Sequence, residues 1–556
     1  MKILVQFRDL IGKQAANFGA LGLAIVFCLI QISTLDYGTT INDQPHIRDH
    51  KVSPSIVMGS ALDRANVVVS QSGDRESIQQ WMLRFKLYTV EADEVYSVIA
   101  LARMRPDQFQ FDPHYYQYGG AFLYPLGGYF FGLSKIGAVS IGSLDAMLSQ
   151  PNKIDAIWIS GRALIVATTA AAGLLLYFAL SYVSPPKIGL LGLAIFYFCP
   201  ATIMFSQMVK PHWYALLFSN AALWIAVRAW AHGNLTSAAQ LGLGIAIGLA
   251  VGSVITFSLF AFILWCGLLY LCFKKIAAIQ SLVVVPAVAI LAFLISNPYF
   301  LLNWPAVADE RAQLATWYTP AIDLAGHQFV YQSVMPGFGV ATTIAFASAF
   351  IFQLARPTSA GIRLLGLGIL FSIVTMTVML AGYYYWHVNF RYVSYTLPMI
   401  LLFLAAAEWP FKQLVLALTA FAAVVQAVPL KLAYLDENSA EYSTRLRAAR
   451  TIDDLPEGDA ICINTGTPAP FSLPPFRFDR RRTIVPGDQT ADCRWLVVID
   501  GNREPTPTGE GWEVANRFAP RLSPLMFPLV WEHVNPRISI FRKKDSHSFS
   551  EDKLGL

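Results

Sequence analysis

Apolar runs of about 20 residues recur along this chain and constrain its fold more than any other feature. They begin near Leu21 and continue to Val428. Each run is long enough to cross a hydrocarbon core of about 30 Å as a helix whose backbone polar groups bond to one another. Only 14% of the 556 residues are charged, against about 25% in soluble proteins. The sequence therefore predicts an α-helical polytopic membrane protein, embedded in a lipid bilayer.

Positive charge at the start of the chain predicts its orientation. Lys2, Arg8 and Lys13 precede the first apolar run, and basic residues favour the cytoplasmic side of a membrane. The N-terminus is therefore expected in the cytoplasm, with residue 34 on the extracytoplasmic side. No small-residue cleavage site follows this run, so we expect it to stay as an anchor rather than be removed as a signal peptide.

A glycine-rich stretch at 119–138 decides the number of membrane spans, because it could cross the membrane or lie at its surface. If it lies at the surface, nearly every isolated basic residue between spans falls on the cytoplasmic side, which favours this placement. About 11 transmembrane helices are then predicted, the first near 21–34 and the others at 162–183, 188–206, 213–231, 237–252, 254–273, 280–297, 336–354, 364–383, 393–408 and 413–428. Two large loops, 34–160 and 298–335, are extracytoplasmic in this topology.

Charged residues, prolines and short alternating segments replace the apolar runs after about residue 430. Residues 493–500 (CRWLVVID) have the pattern of a buried strand. We therefore predict a transmembrane domain at 1–430 and a C-terminal α/β extracytoplasmic domain at 431–556. Cys462 and Cys493 could form a disulfide in an oxidising compartment, or could be two separate buried thiols.

Two adjacent carboxylates, Asp93 and Glu94, open a predicted amphipathic helix in the first outer loop. Acidic residues are common at a helix N-terminus simply because they complement the helix dipole. Asp112, His114 and several tyrosines follow closely in the sequence, and such side chains can transfer protons and stack on sugars. A carboxylate here could take a proton from an acceptor hydroxyl, and its neighbour could bind the acceptor or a metal ion.

This segment resembles the first outer loop of glycosyltransferase family 39 and protein O-mannosyltransferase-like proteins. The acidic pair, the helix after it and residues 111–120 (FDPHYYQYGG) are similar to the acidic motif and membrane-surface helix of that group. Three further stretches are similar in order and spacing, at 160–162 (SGR), 297–299 (NPY) and 390–398 (FRYVSYTLP). The resemblance covers most of the predicted transmembrane domain.

The resemblance implies a GT-C-like, mannosyltransferase-like enzyme of a bacterial inner membrane. Such an enzyme transfers a sugar, with inversion, from a polyprenyl-phosphate donor to an acceptor hydroxyl of a protein, lipid or polysaccharide on the extracytoplasmic face. Asp93 would be the general base, Glu94 a neighbour that binds acceptor or metal, and Arg391 a contact to the donor phosphate. For Arg391 the simpler alternative is a side chain that reaches out to the membrane surface.

The second outer loop departs from the family pattern. Relatives commonly carry Lys-Pro-Asp or Lys-Val-Asp before the fourth helix, whereas this chain has KPHW at 210–213. Lys210 could still bind the donor phosphate, and His212 could ligate a metal or relay a proton, but a histidine supplies no fixed negative charge. A divalent metal ion is therefore an open question, with Glu94 and His212 as candidate ligands. The alternative is an interfacial Lys-His-Trp belt.

Other interpretations of the sequence stay open. His327, in the second large outer loop, could help to cover the site, although an isolated loop histidine is often structural. A polytopic transporter, an O-antigen ligase or polymerase, and a catalytically silent GT-C-like partner subunit would share this composition. The ionisable residues lie in outer loops and no repeated halves are evident, which favours an enzyme over a transporter. The net charge of +5 is too small to indicate a nucleic-acid partner.

Overall fold

The structure, a computed structural model, divides the chain into two compact units. The helical unit contains Met1–Leu35, Tyr96–Val139 and Trp158–Lys431, and the sheet unit contains Asp36–Val95, Ser140–Ile157 and Leu432–Leu556. The residues that the structure describes are 2–39, 44–49, 85–86, 89–142, 150–317, 330, 334–356, 359–379, 389–464, 473–477, 483–484, 493–500, 511–521 and 534–544.

Helices make up most of the described chain. In chain order they are α1 (Lys2–Ile32), α2 (Pro45–Arg48), α3 (Val95–Arg103), α4 (Gly120–Lys135), α5 (Pro151–Val183), α6 (Pro186–Phe198), α7 (Pro200–Phe205), α8 (Pro211–His232), α9 (Ser237–Ser253), α10 (Ser258–Phe273), α11 (Ser281–Ser296), α12 (Tyr299–Leu302), α13 (Trp304–Trp317), α14 (Met335–Phe338), α15 (Val340–Ala355), α16 (Ala360–Met379), α17 (Thr396–Ala406), α18 (Lys412–Glu437) and α19 (Thr444–Asp453). Short 3₁₀ helices lie at Ala92–Glu94, Pro106–Gln108, Ile255–Phe257 and Asn389–Val393.

Six segments among the described helices are long and apolar enough to cross a membrane. They are Gln14–Ile32, Asn152–Val183, Pro211–His232, Ile255–Phe273, Ala360–Met379 and Lys412–Glu437. Shorter apolar helices, α6, α9, α11, α15 and α17, occupy the other positions where spans were predicted. An α-helical polytopic membrane protein with a small sheet domain is therefore confirmed. The number of crossings and their orientation stay predictions.

The glycine-rich stretch at 119–138 forms α4, and the backbone at its start is held by two other segments. The N–H of Gly119 donates to the carbonyl of Ser253 at 2.9 Å, and the N–H of Gly120 donates to Asn297 Oδ1 at 2.7 Å. A Cβ on Gly119 would lie 1.8 Å from the carbonyl oxygen of Gly252. Only glycine permits this approach, so these glycines serve helix packing.

Helices α9 and α11 pack closely through a row of glycines on α9. Gly244, Gly248 and Gly252 recur at every fourth residue and so share one face of the helix. A Cβ on Gly248 would lie 2.3 Å from the carbonyl oxygen of Ala289 on α11. Small residues are the usual means by which membrane helices bring their backbones together. The side of α11 that carries Ile295 is left exposed.

The sheet unit contains a mixed sheet of five strands in the order β2-β1-β3-β5-β4. The strands are β1 (Ile461–Asn464), β2 (Thr483–Ile484), β3 (Trp495–Asp500), β4 (Trp512–Phe518) and β5 (Arg537–Lys543). β1 runs parallel to β2 and β3, whereas β5 runs antiparallel to β3 and β4. The strand predicted at 493–500 is β3, and its hydrophobic residues lie in the middle of the sheet as their pattern indicates.

Part of the first outer loop belongs to the core of the sheet unit. Ile47 and Phe85 are buried there against residues of α19 and the strands, including Ile452 and Ile540. The sequence assigned the whole 34–160 loop to the transmembrane domain, because nothing local shows which apolar loop residues will cover a distant sheet. Burial of these side chains instead stabilises the sheet unit.

Cys462 and Cys493 form a disulfide, with their Cα atoms 5.7 Å apart. The bond links β1 to the start of β3, since Cys493 lies two positions before that strand. β3 is the parallel neighbour of β1 in the sheet. The other four cysteines, Cys28, Cys199, Cys266 and Cys272, are free. Of the two alternatives that the sequence allowed for this pair, the structure has the disulfide.

Candidate functional site

The acidic pair lies in a 3₁₀ turn of the sheet unit, immediately before α3. Glu94 is fully buried and accepts a hydrogen bond from Thr89 Oγ1 at 2.7 Å, whereas Asp93 is only half-buried. The same hydroxyl oxygen accepts a hydrogen bond from the N–H of Glu91 at 3.1 Å. The two carboxylates therefore differ in environment, since Glu94 is held in place and Asp93 is within reach of solvent. No local sequence pattern pointed to Thr89 as the partner of Glu94.

Helix α3 connects two loops of the helical unit. The ring of Tyr96 stacks on Tyr115 with centroids 5.4 Å apart and planes at 3°. The hydroxyl of Ser97 donates to the carbonyl of Val209 at 2.7 Å. The helix that directly follows Asp93 and Glu94 thus holds both the tyrosine-rich segment after it and the segment that ends at Lys210.

An aromatic row extends from this helix across the helical unit, consisting of Tyr96, Tyr115, Tyr118, His212 and Tyr392. After the Tyr96–Tyr115 stack, Tyr115 meets Tyr118 at 5.2 Å, Tyr118 meets His212 at 6.4 Å, and His212 meets Tyr392 at 5.7 Å. The last three contacts are edge-to-face, a favourable geometry for aromatic pairs. The row joins three segments that the sequence singled out separately.

Lys210 is the N-cap residue of α8 and is completely buried. Pro211 occupies the first turn, where its missing N–H costs nothing. A lysine at this position places a positive charge beside the positive end of the helix dipole, in a buried environment. An anion bound at this helix end would be stabilised by the side chain, the dipole and the backbone N–H groups together.

Arg391 lies at the other end of the aromatic row, within the 3₁₀ helix Asn389–Val393. Its guanidinium carbon is 5.1 Å from the ring centroid of Tyr392, and Nη2 donates to the hydroxyl of Tyr392 at 3.2 Å. Because Tyr392 contacts His212, the segments that carry Arg391 and Lys210 meet. The structure thus brings together the two segments that carry these residues, and their role in phosphate binding stays a prediction.

Asp112 is the centre of a polar cluster between the first outer loop and the start of α13. Its carboxylate accepts hydrogen bonds from the backbone N–H of His114 at 3.0 Å, from the hydroxyl of Tyr116 at 3.0 Å and from Asn303 Nδ2 at 2.8 Å. Burial, together with the hydrogen bond to Asp112, raises the pKa of the Tyr116 phenol. The His114 ring is exposed, with Nδ1 3.8 Å from the carboxylate. This arrangement favours a positioning role for Asp112.

The carboxylate of Glu310, on α13, holds the same loop by binding the loop's backbone N–H groups. Its two carboxylate oxygens accept from the N–H groups of Tyr116 at 2.8 Å and Gln117 at 3.0 Å. Burial raises the pKa of the Glu310 carboxyl, an effect partly offset by these two donors and by Arg103 and Arg311. Sequence analysis missed Glu310 and Asn303 in this role, because their partners lie nearly two hundred positions away in the chain.

Lys431 of α18 organises a second buried polar group in the helical unit. Its ammonium donates to Gln31 Oε1 at 2.9 Å, to Gln207 Oε1 at 3.1 Å and to the hydroxyl of Thr34. Gln207 lies three positions before Lys210. Lys431 thereby holds the segment that leads into α8, and sequence analysis did not identify it.

The described residues do not provide an evident metal site. Within the ranges given above, no three His, Cys, Asp or Glu side chains come together in a way that could hold a metal ion. His212 instead has tyrosine rings as neighbours. His327 lies outside the described residues. The ligand roles of Glu94 and His212 stay predictions, and no chemical step is assigned to a metal.

No family model and no curated protein matches the chain. Seven chains of solved structures do match it. One is the oligosaccharyltransferase of Archaeoglobus fulgidus, crystallised with an acceptor peptide that contains an NVT sequon and is tethered through a disulfide. This chain shares 13% sequence identity with it at a TM-score of 0.35, over 86% of this chain and 68% of that one.

Proposed function

We propose that this protein is a GT-C-like membrane glycosyltransferase that moves a sugar from a polyprenyl-phosphate donor to an acceptor hydroxyl. The observation that carries the proposal is the contact between His212 and Tyr392, through which the segments of Lys210 and Arg391 meet. Two cations and a helix N-terminus in one region match a phosphate group. The motif resemblance supplies the reaction class.

The leaving group of this reaction is the polyprenyl phosphate, which gains negative charge as its bond to the sugar breaks. Lys210, the N-terminal N–H groups of α8 and the Arg391 guanidinium would stabilise this charge, and fixed donors of this kind make a large contribution to catalysis. The guanidinium can engage two phosphate oxygens at once through its planar fork. This part of the mechanism needs no covalent intermediate.

The acceptor hydroxyl must lose a proton when it attacks the sugar. We assign this step to Asp93, following the motif resemblance, and its half-buried position leaves the carboxylate accessible. Glu94, buried and hydrogen-bonded to Thr89, would serve as a fixed acceptor contact beside it. A positioned carboxylate base contributes a rate factor of about 10² to 10⁴.

We place the reaction on the extracytoplasmic face of a bacterial inner membrane. The Cys462–Cys493 disulfide supports this side for the sheet unit, since disulfides persist in oxidising compartments. Tyr115, half-buried in the aromatic row, would be the ring that contacts a sugar, whereas the buried Tyr118 would support it.

The test is consumption of polyprenyl-phosphate sugars by the purified full-length protein, with a membrane extract as the source of acceptors. We expect Lys210→Met and Arg391→Met each to raise the KM for the donor, and Asp93→Asn to lower kcat by about 10². Arg356→Met, at an exposed arginine at the end of α15, is the matched control and should change neither value. Failure to consume any donor would overturn the proposal and favour a transporter or a catalytically silent partner subunit.

A further inference from the structure

A tight hairpin in the first outer loop presents one aromatic ring to its surroundings. Arg105 and Gln110 exchange both backbone hydrogen bonds, at 2.7 and 3.0 Å, and enclose the 3₁₀ turn Pro106–Gln108. Phe109 follows that turn with a φ of 55°, in the left-handed region, and its side chain is 85% exposed. A positive φ is uncommon for a residue other than glycine, and such backbone conformations cluster at functional sites.

A second group of exposed apolar side chains lies on α12 and the first residue of α13. Leu301, Leu302 and Trp304 are all exposed, Leu302 to 75%. Phe300 fixes the orientation of this segment, since its ring packs 5.1 Å from Phe293 of α11 and lies beneath the Arg311 guanidinium at 5.1 Å. The contacts of Phe300 therefore hold the neighbouring exposed residues in an outward orientation.

The two groups form one surface, which we call the apolar rim: Phe109, Phe111, Leu301, Leu302 and Trp304. The backbone N–H of Phe111 donates to the hydroxyl of Tyr299 at 3.2 Å, which joins the hairpin strand to α12. Tyr124 of α4 donates to the carbonyl of Phe111 at 3.3 Å. All of these residues belong to the helical unit.

The apolar rim continues the lipid-facing surface of α11. This helix contains no charged residue, and Ile290, Leu291 and Ile295 are exposed, the last to 71%. Only Asn297 and Pro298 separate the end of α11 from α12. On a helix of this length and apolarity in a polytopic membrane protein, such an exposed face is the kind that lies against lipid, and the surface that extends it then reaches the boundary of the membrane with water.

We propose that the apolar rim is a membrane-surface anchor, which inserts Phe109 and Trp304 into the interfacial layer of bilayer lipids at the C-terminal end of α11. Aromatic side chains are enriched at this depth because their rings favour the region between headgroups and acyl chains. The anchor would hold the hairpin and α13, which are joined by the Asp112 cluster, against the membrane. The inference is independent of the proposed catalytic activity.

Depth measurement by spin labelling of the full-length protein in phospholipid nanodiscs tests the proposal. The free cysteines Cys28, Cys199, Cys266 and Cys272 are replaced by alanine, the disulfide is kept, and labels are placed singly through Phe109→Cys and Leu302→Cys. Ile290→Cys gives the lipid reference, and Glu457→Cys, at an exposed turn of the sheet unit, gives the water reference.

We expect both rim labels to favour collisions with oxygen over a water-soluble nickel complex, at a depth between the two references. Values at both rim sites equal to that of the Glu457 label would overturn the anchor. If the Phe109 variant fails to fold, the label at position 302 is a sufficient test by itself, because the Leu302 side chain lies on the outside of a short helix and can be replaced without loss of packing. A depth at Leu302 equal to the water reference then refutes the proposal.

Discussion

The imidazole ring of His212 meets the ring of Tyr392 edge-on, with centroids 5.7 Å apart and planes at 70°. On its other side, His212 meets Tyr118 at 6.4 Å. An aspartate, which the motif resemblance suggests for this position, would be poorly placed between two aromatic rings in a buried position. A histidine therefore fits the surroundings that this chain provides.

Replacement of His212 by phenylalanine separates the packing of this ring from its chemistry. His212→Phe keeps an aromatic ring between Tyr118 and Tyr392, so we expect the melting temperature to change little. If the imidazole relays a proton in the proposed reaction, donor turnover should fall by about 10². His212→Ala is the companion variant, and it should lose thermal stability as well. Full turnover in His212→Phe would assign the residue to packing alone.

Because α9 packs closely against α11, the addition of one methyl group at Gly248 is predicted to lower the stability of the protein. Gly248→Ala improves helix propensity by about 1 kcal/mol, but its Cβ would lie 2.3 Å from the backbone carbonyl of Ala289. Overpacking of this kind costs about 1–3 kcal/mol, and it meets backbone that cannot rotate away. We therefore expect a lower melting temperature in detergent. Gly267→Ala is the control, because nothing lies within 4 Å of its Cβ, and an unchanged melting temperature in Gly248→Ala would contradict the close packing.

The parts of the fold that could be predicted from sequence are those whose physical cause is local. Apolar length alone indicates a membrane helix, and apolar alternation indicated strand β3. Lys431 illustrates the opposite case, because its partner Gln31 lies 400 positions away and neither residue belongs to a motif. The same holds for Ile47 and Phe85, whose burial depends on a sheet formed by the other end of the chain.

The sequence named candidate residues for a site, but it did not show how their segments lie relative to one another. Lys210, His212 and Arg391 were identified from short motifs, and the structure shows that their segments meet through aromatic contacts that no motif encodes. Asn303 and Glu310, by contrast, act through hydrogen bonds to another loop and carry no recognisable spacing. Whether Asp93 and Glu94 act in catalysis is still a prediction.

Glu310 predicts a pH dependence of stability with a definite sign. Burial raises its pKa above the ordinary value of 4.5, so the native state holds this proton more tightly than the unfolded chain does. The stabilisation is complete below the unfolded pKa and is lost as pH rises through the folded pKa. Glu310→Gln removes this dependence and leaves one backbone N–H without its acceptor, at a cost of about 1–3 kcal/mol.

We therefore expect Glu310→Gln to have a lower melting temperature than the unmodified protein. The difference in melting temperature should be larger at pH 4.5 than at neutral pH. Thermal melts of the full-length protein in detergent across this interval measure the difference. Asp309→Asn, at the exposed neighbouring carboxylate, should change the melting temperature little at either pH. A difference in melting temperature that grows toward neutral pH would show that the carboxylate is stabilised in its ionised form, contrary to this prediction.

The disulfide between Cys462 and Cys493 predicts both the thiol chemistry of the protein and the stability of the sheet unit. After denaturation without reductant, four thiols should react with a maleimide, and treatment with reductant should expose the remaining pair. The bond closes a segment with a sequence separation of 31, for which loop entropy gives a stabilisation of about 3–4 kcal/mol. Cys462→Ser should therefore lower the unfolding temperature of the sheet unit, whereas Cys266→Ser, at an exposed free cysteine, should not. If all six cysteines of protein isolated from membranes react without reductant, the pair is reduced in the cell, and the extracytoplasmic placement of the sheet unit loses its support.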